Sequence, residues 1–288
     1  MKINIAKSSG FCFGVRRAIN ISRSVANKKK NVYVLGDIVH NSFVVNDLKK
    51  EGIKKIASIK RAPNSTLIIR AHGAPKKVFQ KARLSGYIVV DATCPKVKEI
   101  YKIAKRLEKN NRIIIIGDNN HAEVKGIAGQ LKTKPITIDS AKSITQKKLS
   151  HVKKAAVITQ STQTIDNINE IMARLKELVP KIKLYDTTCR TTRIKQKEIK
   201  TLPKENDVML IIGSKTSANT KRLHQISKSL NRKTYWIECA RDLKLKWFKK
   251  NKTTGIMAGA STPDYITKEV VQTIKRFAKK KKHKQCIS

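Results

Sequence analysis

Apolar residues along this chain fall into two alternating patterns. Short β-branched runs are followed by longer stretches with apolar positions at helical spacing. The runs predict strands at Ile3–Ala6, Val32–Leu35, Thr66–Arg70, Tyr87–Val90, Arg112–Ile116, Ile136–Ile138, Ala155–Ile158, Lys183–Tyr185, Val208–Ile212, Thr234–Ile237 and Gly255–Met257. Ile113–Ile116 and Val208–Ile212 are continuously apolar, as in strands covered on both faces. Between the runs, Val15, Ala18, Ile19, Ser22, Val25 and Ala26 fall on one face of a first helix. Pro95 suits the first position of another, where a missing N–H costs nothing. Strands alternating with helices predict an α/β fold with mostly parallel sheets.

Each predicted strand runs into a polar, often glycine-bearing segment. Ligands of open parallel sheets bind at the carboxyl ends of strands, so these segments stand where a site belongs. Three of them carry a cysteine: Gly10-Phe11-Cys12-Phe13-Gly14, Asp91-Ala92-Thr93-Cys94 and Asp186-Thr187-Thr188-Cys189. The last two are near-copies; the first resembles them little. The cysteines stand roughly a third of the chain apart, which suggests three similar α/β units arranged as a pseudo-threefold trefoil. The boundaries expected are 13–94, 95–186, and 1–12 with 187–277, followed by a basic disordered tail at 278–288.

Composition narrows the chemistry. With 288 residues, 40% of them hydrophobic, the chain can bury a sizeable core. No apolar run reaches about 18 residues, so no membrane span is expected, and no secretory signal is apparent. Five widely spaced cysteines without a Cys-x-x-Cys argue against a disulfide scaffold and against structural zinc; a reducing, cytoplasmic setting is expected. The net charge of +44 admits a nucleic-acid-binding protein as an alternative. The lysines are scattered, however, and aromatics are only 5%, which suits base stacking poorly; no specific nucleic-acid partner is expected.

Three cysteines in strand-to-helix loops suit a [4Fe–4S] cluster with one iron lacking a protein ligand, a Lewis acid for a substrate oxygen. The alternative is three buried structural thiols, the role assigned to Cys239 and Cys286. His40, His72 and His121 each follow a strand and are candidate donors to an anionic group. Glu123 is a candidate proton donor, or merely a charge at a helix N-terminus. Ser217, Asn219 and Ser261 are candidates for holding phosphate oxygens.

Taken together, the motifs resemble those of the 4-hydroxy-3-methylbut-2-enyl diphosphate reductases, the last enzymes of the non-mevalonate isoprenoid pathway. They are Gly-Phe-Cys-x-Gly-Val at 10–15, Val-His-Asn at 39–41, Ala-His-Gly at 71–73, Asp-Ala-Thr-Cys-Pro at 91–95, His-x-Glu-Val-x-Gly at 121–126, Gly-Ser-Lys-x-Ser-x-Asn at 213–219 and Ala-Gly-Ala-Ser-x-Pro-Asp at 258–264. The resemblance covers about residues 3 to 275. It implies a trefoil around a [4Fe–4S] cluster held by Cys12, Cys94 and Cys189. It also implies reductive removal of the substrate hydroxyl as water, through an allyl-type species, giving isopentenyl and dimethylallyl diphosphate. Glu123 matches the proton-delivering acid, and Ser161 stands where a relay threonine is usual. His40, His72, His121, Ser217, Asn219 and Ser261 match diphosphate and substrate contacts. Flavodoxin or ferredoxin is the implied electron donor, steered by opposite charge. Asp118-Asn119-Asn120, Ala122 and Ala218 depart from the usual pattern, and the first four of these residues predict a looser loop before Glu123. A catalytically impaired iron–sulfur protein of the same fold is the second alternative.

Overall fold

The structure, a computed structural model, describes residues 1–248 and 251–285, with side chains described through residue 278. Cys286, expected to be a structural thiol, lies outside the described residues. Among the described residues the fold is α/β with three four-stranded sheets, all parallel. In chain order the strands are β1 (Lys2–Ile5), β2 (Val32–Leu35), β3 (Ile53–Ile56), β4 (Ser65–Ile69), β5 (Tyr87–Asp91), β6 (Arg112–Ile116), β7 (Ile136–Ile138), β8 (Lys154–Thr159), β9 (Lys181–Tyr185), β10 (Val208–Ile212), β11 (Thr234–Ile237) and β12 (Thr253–Ala258).

The chain forms two compact units. One comprises Met1–Phe13, His40–Val44 and Arg190–Ser288; the other comprises Gly14–Val39 and Val45–Cys189. The first holds the sheet β1-β12-β10-β11. The second holds two sheets, β3-β2-β4-β5 and β7-β6-β8-β9.

The apolar runs become central strands because alternate residues serve opposite faces. In β6, Ile114 and Ile116 pack with Ile168, Ile171 and Leu175 of the helix Ile165–Leu178. Ile113 and Ile115 pack on the other face with Val97, Ile100 and Ala104 of the helix Pro95–Glu108. β10 repeats the division: Val208, Leu210 and Ile212 face one cluster, Met209 and Ile211 another.

One strand was not expected from the sequence. β3, Ile-Lys-Lys-Ile, is an edge strand with only Ile53 buried. Its two lysines hide the β pattern, and lysines are also what keeps an open edge from pairing with other chains. The last helix runs from Asp264 to Gln285, through the lysine run set aside above as tail.

Replacing Ile114, which is fully buried, with alanine is expected to cost about 2–5 kcal/mol in denaturant unfolding. Lys54→Ala on the exposed edge should stay within about 0.5 kcal/mol. Equal effects would contradict this placement of the core.

Candidate functional site

The three cysteines occupy one topological position. Each follows an edge strand, β1, β5 or β9, and directly precedes a helix: Phe13–Lys28, Pro95–Glu108 or Arg190–Glu198. In each case the cysteine amide donates to the carbonyl two residues beyond the end of the adjoining strand. Cys12 N–H reaches Ala260 O at 3.1 Å, Cys94 N–H reaches Ala71 O at 2.9 Å, and Cys189 N–H reaches Ser161 O at 2.9 Å. Strands β12, β4 and β8 end at Ala258, Ile69 and Thr159. The weak likeness of Gly-x-Cys-x-Gly to Asp-x-Thr-Cys therefore conceals the same backbone role.

The near-copies also share a turn. Asp91 Oδ1 accepts from Thr93 N, and Asp186 Oδ1 from Thr188 N, both at 2.9 Å. Such Asx turns bend the chain out of the strand just before the cysteine. Asp91 also pairs with Lys98 at 2.6 Å. Burial works against its charge, but Lys98 and the Thr93 bonds outweigh that and hold its carboxyl below the usual range. Cys94 precedes the helix without capping it through its side chain. A Cβ built on Gly14 would lie 2.4 Å from Cys94 Sγ, so only glycine leaves that sulfur its space. All four described cysteines outside the C-terminal tail are half-buried and none is in a disulfide.

In the second unit the strand ends gather His72, His121, Glu123 and Ser161. Glu123 is 2% exposed. Its Oε1 accepts from Ser161 N at 2.6 Å and its Oε2 from Ser161 Oγ at 2.7 Å. It is thus a buried acid tied to a hydroxyl, more than a surface charge at a helix start. His121 precedes the helix Ala122–Ala128, and its Nδ1 accepts from Glu123 N at 3.1 Å, which leaves Nε2 as the ring's N–H donor when neutral. The His72 and His121 rings meet edge to face at 5.5 Å. Because Ser161 O accepts from Cys189 N, one residue joins the acid to a cysteine loop.

The expected loosening before Glu123 is not what the hydrogen bonds describe. Asp118 N donates to Gln160 Oε1, and His121 N to Asp118 O, both at 2.9 Å. Two residues overlooked in the sequence support this region. The Tyr101 hydroxyl is wedged between Gly73 and Gly126, where built Cβ atoms would lie 2.1 and 2.4 Å away. Burial, then the carboxylates of Glu123 and Asp91, raises its pKa and keeps it protonated. Arg70 is the second: burial lowers the pKa of its guanidinium, opposed by the Asp37 carboxylate. The sequence showed Arg70 only as the end of a strand and did not single out Tyr101.

The first unit carries Cys12, His40, Ser217, Asn219 and Ser261. His40 O accepts from Ser261 Oγ at 3.0 Å. Ser217 Oγ caps the helix Ala218–Leu230 by accepting from Thr220 N at 3.3 Å. Asn219 is buried, and its Nδ2 has no acceptor among the described residues. An orphaned amide donor beside a helix N-terminus suits an anionic oxygen. Thr220 is a further residue missed: Cβ atoms on Gly213 and Gly259 would lie 2.8 and 2.2 Å from its Oγ1, so both glycine motifs close around it. Lys195, which no motif in the sequence singles out, is fully buried. Burial lowers its pKa to about 8, opposed by Cys12 and Glu198.

The chain matches the family model described as LytB protein over residues 3–275. A 4-hydroxy-3-methylbut-2-enyl diphosphate reductase of Aquifex aeolicus is 38% identical over 280 residues, covering 96% of each chain. The Geobacter sulfurreducens reductase is 36% identical, covering 98% of this chain and 100% of that one. Among solved structures, an (E)-4-hydroxy-3-methyl-but-2-enyl diphosphate reductase described as the terminal enzyme of the non-mevalonate pathway is 37% identical. It has a TM-score of 0.71 and coverage of 96% and 100%. The Plasmodium falciparum reductase is 27% identical, with a TM-score of 0.86 and coverage of 94% and 87%. The chain belongs to the LytB family.

Gly14→Ala forces the Cys94 side chain aside. Iron bound per chain after anaerobic reconstitution should fall well below that of the parent. Full loading would mean that the Cys94 sulfur is not a ligand.

Proposed function

We propose that this chain reductively dehydroxylates 4-hydroxy-3-methylbut-2-enyl diphosphate to isopentenyl and dimethylallyl diphosphate. The observation that carries this reading is the buried Glu123–Ser161 pair, hydrogen-bonded through Ser161 to the Cys189 loop. Reduction of a hydroxylated allylic substrate needs protons delivered where electrons arrive, and this pair brings a protonatable group to a cysteine-bearing strand end.

Cys12, Cys94 and Cys189 hold a [4Fe–4S] cluster in this reading. Their shared backbone role, helix-start placement and the space reserved by Gly14 fit three thiolate ligands. The N-terminal ends of helices also favour the thiolate form. When bound, the cluster supplies the reducing electrons and a Lewis-acid site.

The chain's own groups bind, orient and protonate. His72 and His121 present ring nitrogens beside Glu123. Asn219 Nδ2, the N-terminus of the helix Ala218–Leu230, Ser217, Ser261 and His40 serve the diphosphate, in keeping with their positions in the family motifs. Glu123 gives a proton to the leaving hydroxyl or to the allylic carbon frame, and the Ser161 hydroxyl on its Oε2 reloads it. A buried carboxyl in a mostly water-excluded place can hold that proton until needed.

Electrons come from an acidic flavodoxin or ferredoxin, attracted by a chain of +44 formal charge. Among the described residues, no helix is long and apolar enough to cross a membrane. Near-full-length similarity to reductases favours this reading over a nucleic-acid binder.

Anaerobic turnover with dithionite and a viologen mediator tests the proposal: both isomeric diphosphates should appear. No consumption by iron-loaded protein would refute it. Glu123→Gln should lower turnover on the order of 10²–10⁴-fold, the usual scale for a lost general acid. Unchanged turnover would remove Glu123 from the mechanism.

A further inference from the structure

Lys195 lies on the helix Arg190–Glu198 and is 0% exposed. Its ammonium donates to the carbonyls of Ser8, Gly10 (3.1 Å) and Ala258 (3.2 Å). Those acceptors come from the two segments that position Cys12. Ser8 and Gly10 lie in the loop leading to it; Ala258 ends β12, next to the Ala260 carbonyl that takes the Cys12 amide. Gly10 N donates to Ala258 O at 3.3 Å, and Ser9 Oγ accepts from Ala258 N at 2.7 Å. The lysine therefore sits where loop and strand end cross, with all three of its donors spent on backbone.

Two features are out of place for a purely structural group. A fully buried cation is costly unless it is paired, and among the described residues Lys195 makes no ion pair. Glu198, on the same helix, spends its carboxylate on Lys7 N, Ser8 N and Ser8 Oγ, pinning the same loop. Carbonyl dipoles satisfy the hydrogen bonds of Lys195, and Glu198 acts on its charge only from beyond ion-pair distance. The loop that Lys195 holds through Ser8 and Gly10 leads directly to Cys12, whose thiolate, with Glu198, works against burial to keep the lysine charged.

We infer that Lys195 is a positioning residue for the metal centre: it locks the Cys12 loop onto the end of β12 and supplies a fixed counter-charge to an anionic thiolate-bound cluster. This rests on the iron–sulfur reading above. A positive charge near a cluster favours its reduced, more negative form and so raises its reduction potential. A merely structural lysine would not move that potential.

The test compares the full-length parent with Lys195→Met, which keeps the length and removes the charge, and Lys195→Gln, which keeps a donor. After anaerobic reconstitution, iron and sulfide are assayed and the cluster's midpoint potential is measured by EPR-monitored titration. Both variants should bind iron with a potential more negative than the parent's. Variants that keep the parent's circular dichroism yet fail to take up iron also support the role, through loss of Cys12 positioning. Three results would overturn it: an unchanged potential in loaded variants, a potential shifted upward, or loss of the fold itself in both, which would make Lys195 a core residue. A parent chain that binds no iron would overturn the iron–sulfur reading along with this inference, and so is distinguishable from the other outcomes.

Discussion

The architecture turns on one backbone hydrogen bond made three times. At the end of each sheet, a cysteine amide donates to a carbonyl two residues beyond the adjoining strand. That bond fixes how the chain leaves the edge strand, and the helix begins at the next residue. The sulfur position is thus set by the sheet, the most rigid element available, and not by a flexible loop. The rest of each strand-end region has to accommodate it: Asx turns at Asp91 and Asp186, a missing side chain at Gly14, and Lys195 under the Cys12 loop.

From this constraint the acid chemistry follows. Ser161 is simultaneously the carbonyl partner of Cys189 and the hydrogen-bond partner of Glu123. Moving the strand end would move ligand and acid together. A buried acid would be destabilising if its oxygens were unpaired; the two Ser161 donors offset that cost while leaving the group protonatable. Tyr101, pressed against Gly73 and Gly126, holds the His72 segment and the Glu123 helix at a fixed separation.

Much of this was legible in the sequence because parallel strands buried on both faces leave continuous apolar runs. Strand β6 and strand β10 were readable to the residue. β3 was not, since an edge strand guarded by Lys54 and Lys55 loses its alternation. The site residues were legible as a set of polar segments after strands. Their roles were less so: Glu123 looks like a helix-start charge until its burial is known. Lys195 looks like one of many surface lysines in a chain where lysine is everywhere, and only its packing separates it from the others. Gly14 reads in the sequence only as part of a motif, whereas its packing shows a space kept for Cys94 Sγ. Cys12 joined its counterparts through hydrogen bonding that no motif comparison displays.

The central claim is that three topologically equivalent cysteines, and no fourth, hold the metal. Iron per chain in four single cysteine-to-serine variants tests it most directly. Replacement of Cys12, Cys94 or Cys189 should each abolish or sharply reduce iron, while Cys239→Ser should match the parent. Full iron in any of the first three, or loss of iron in the fourth, would contradict the account.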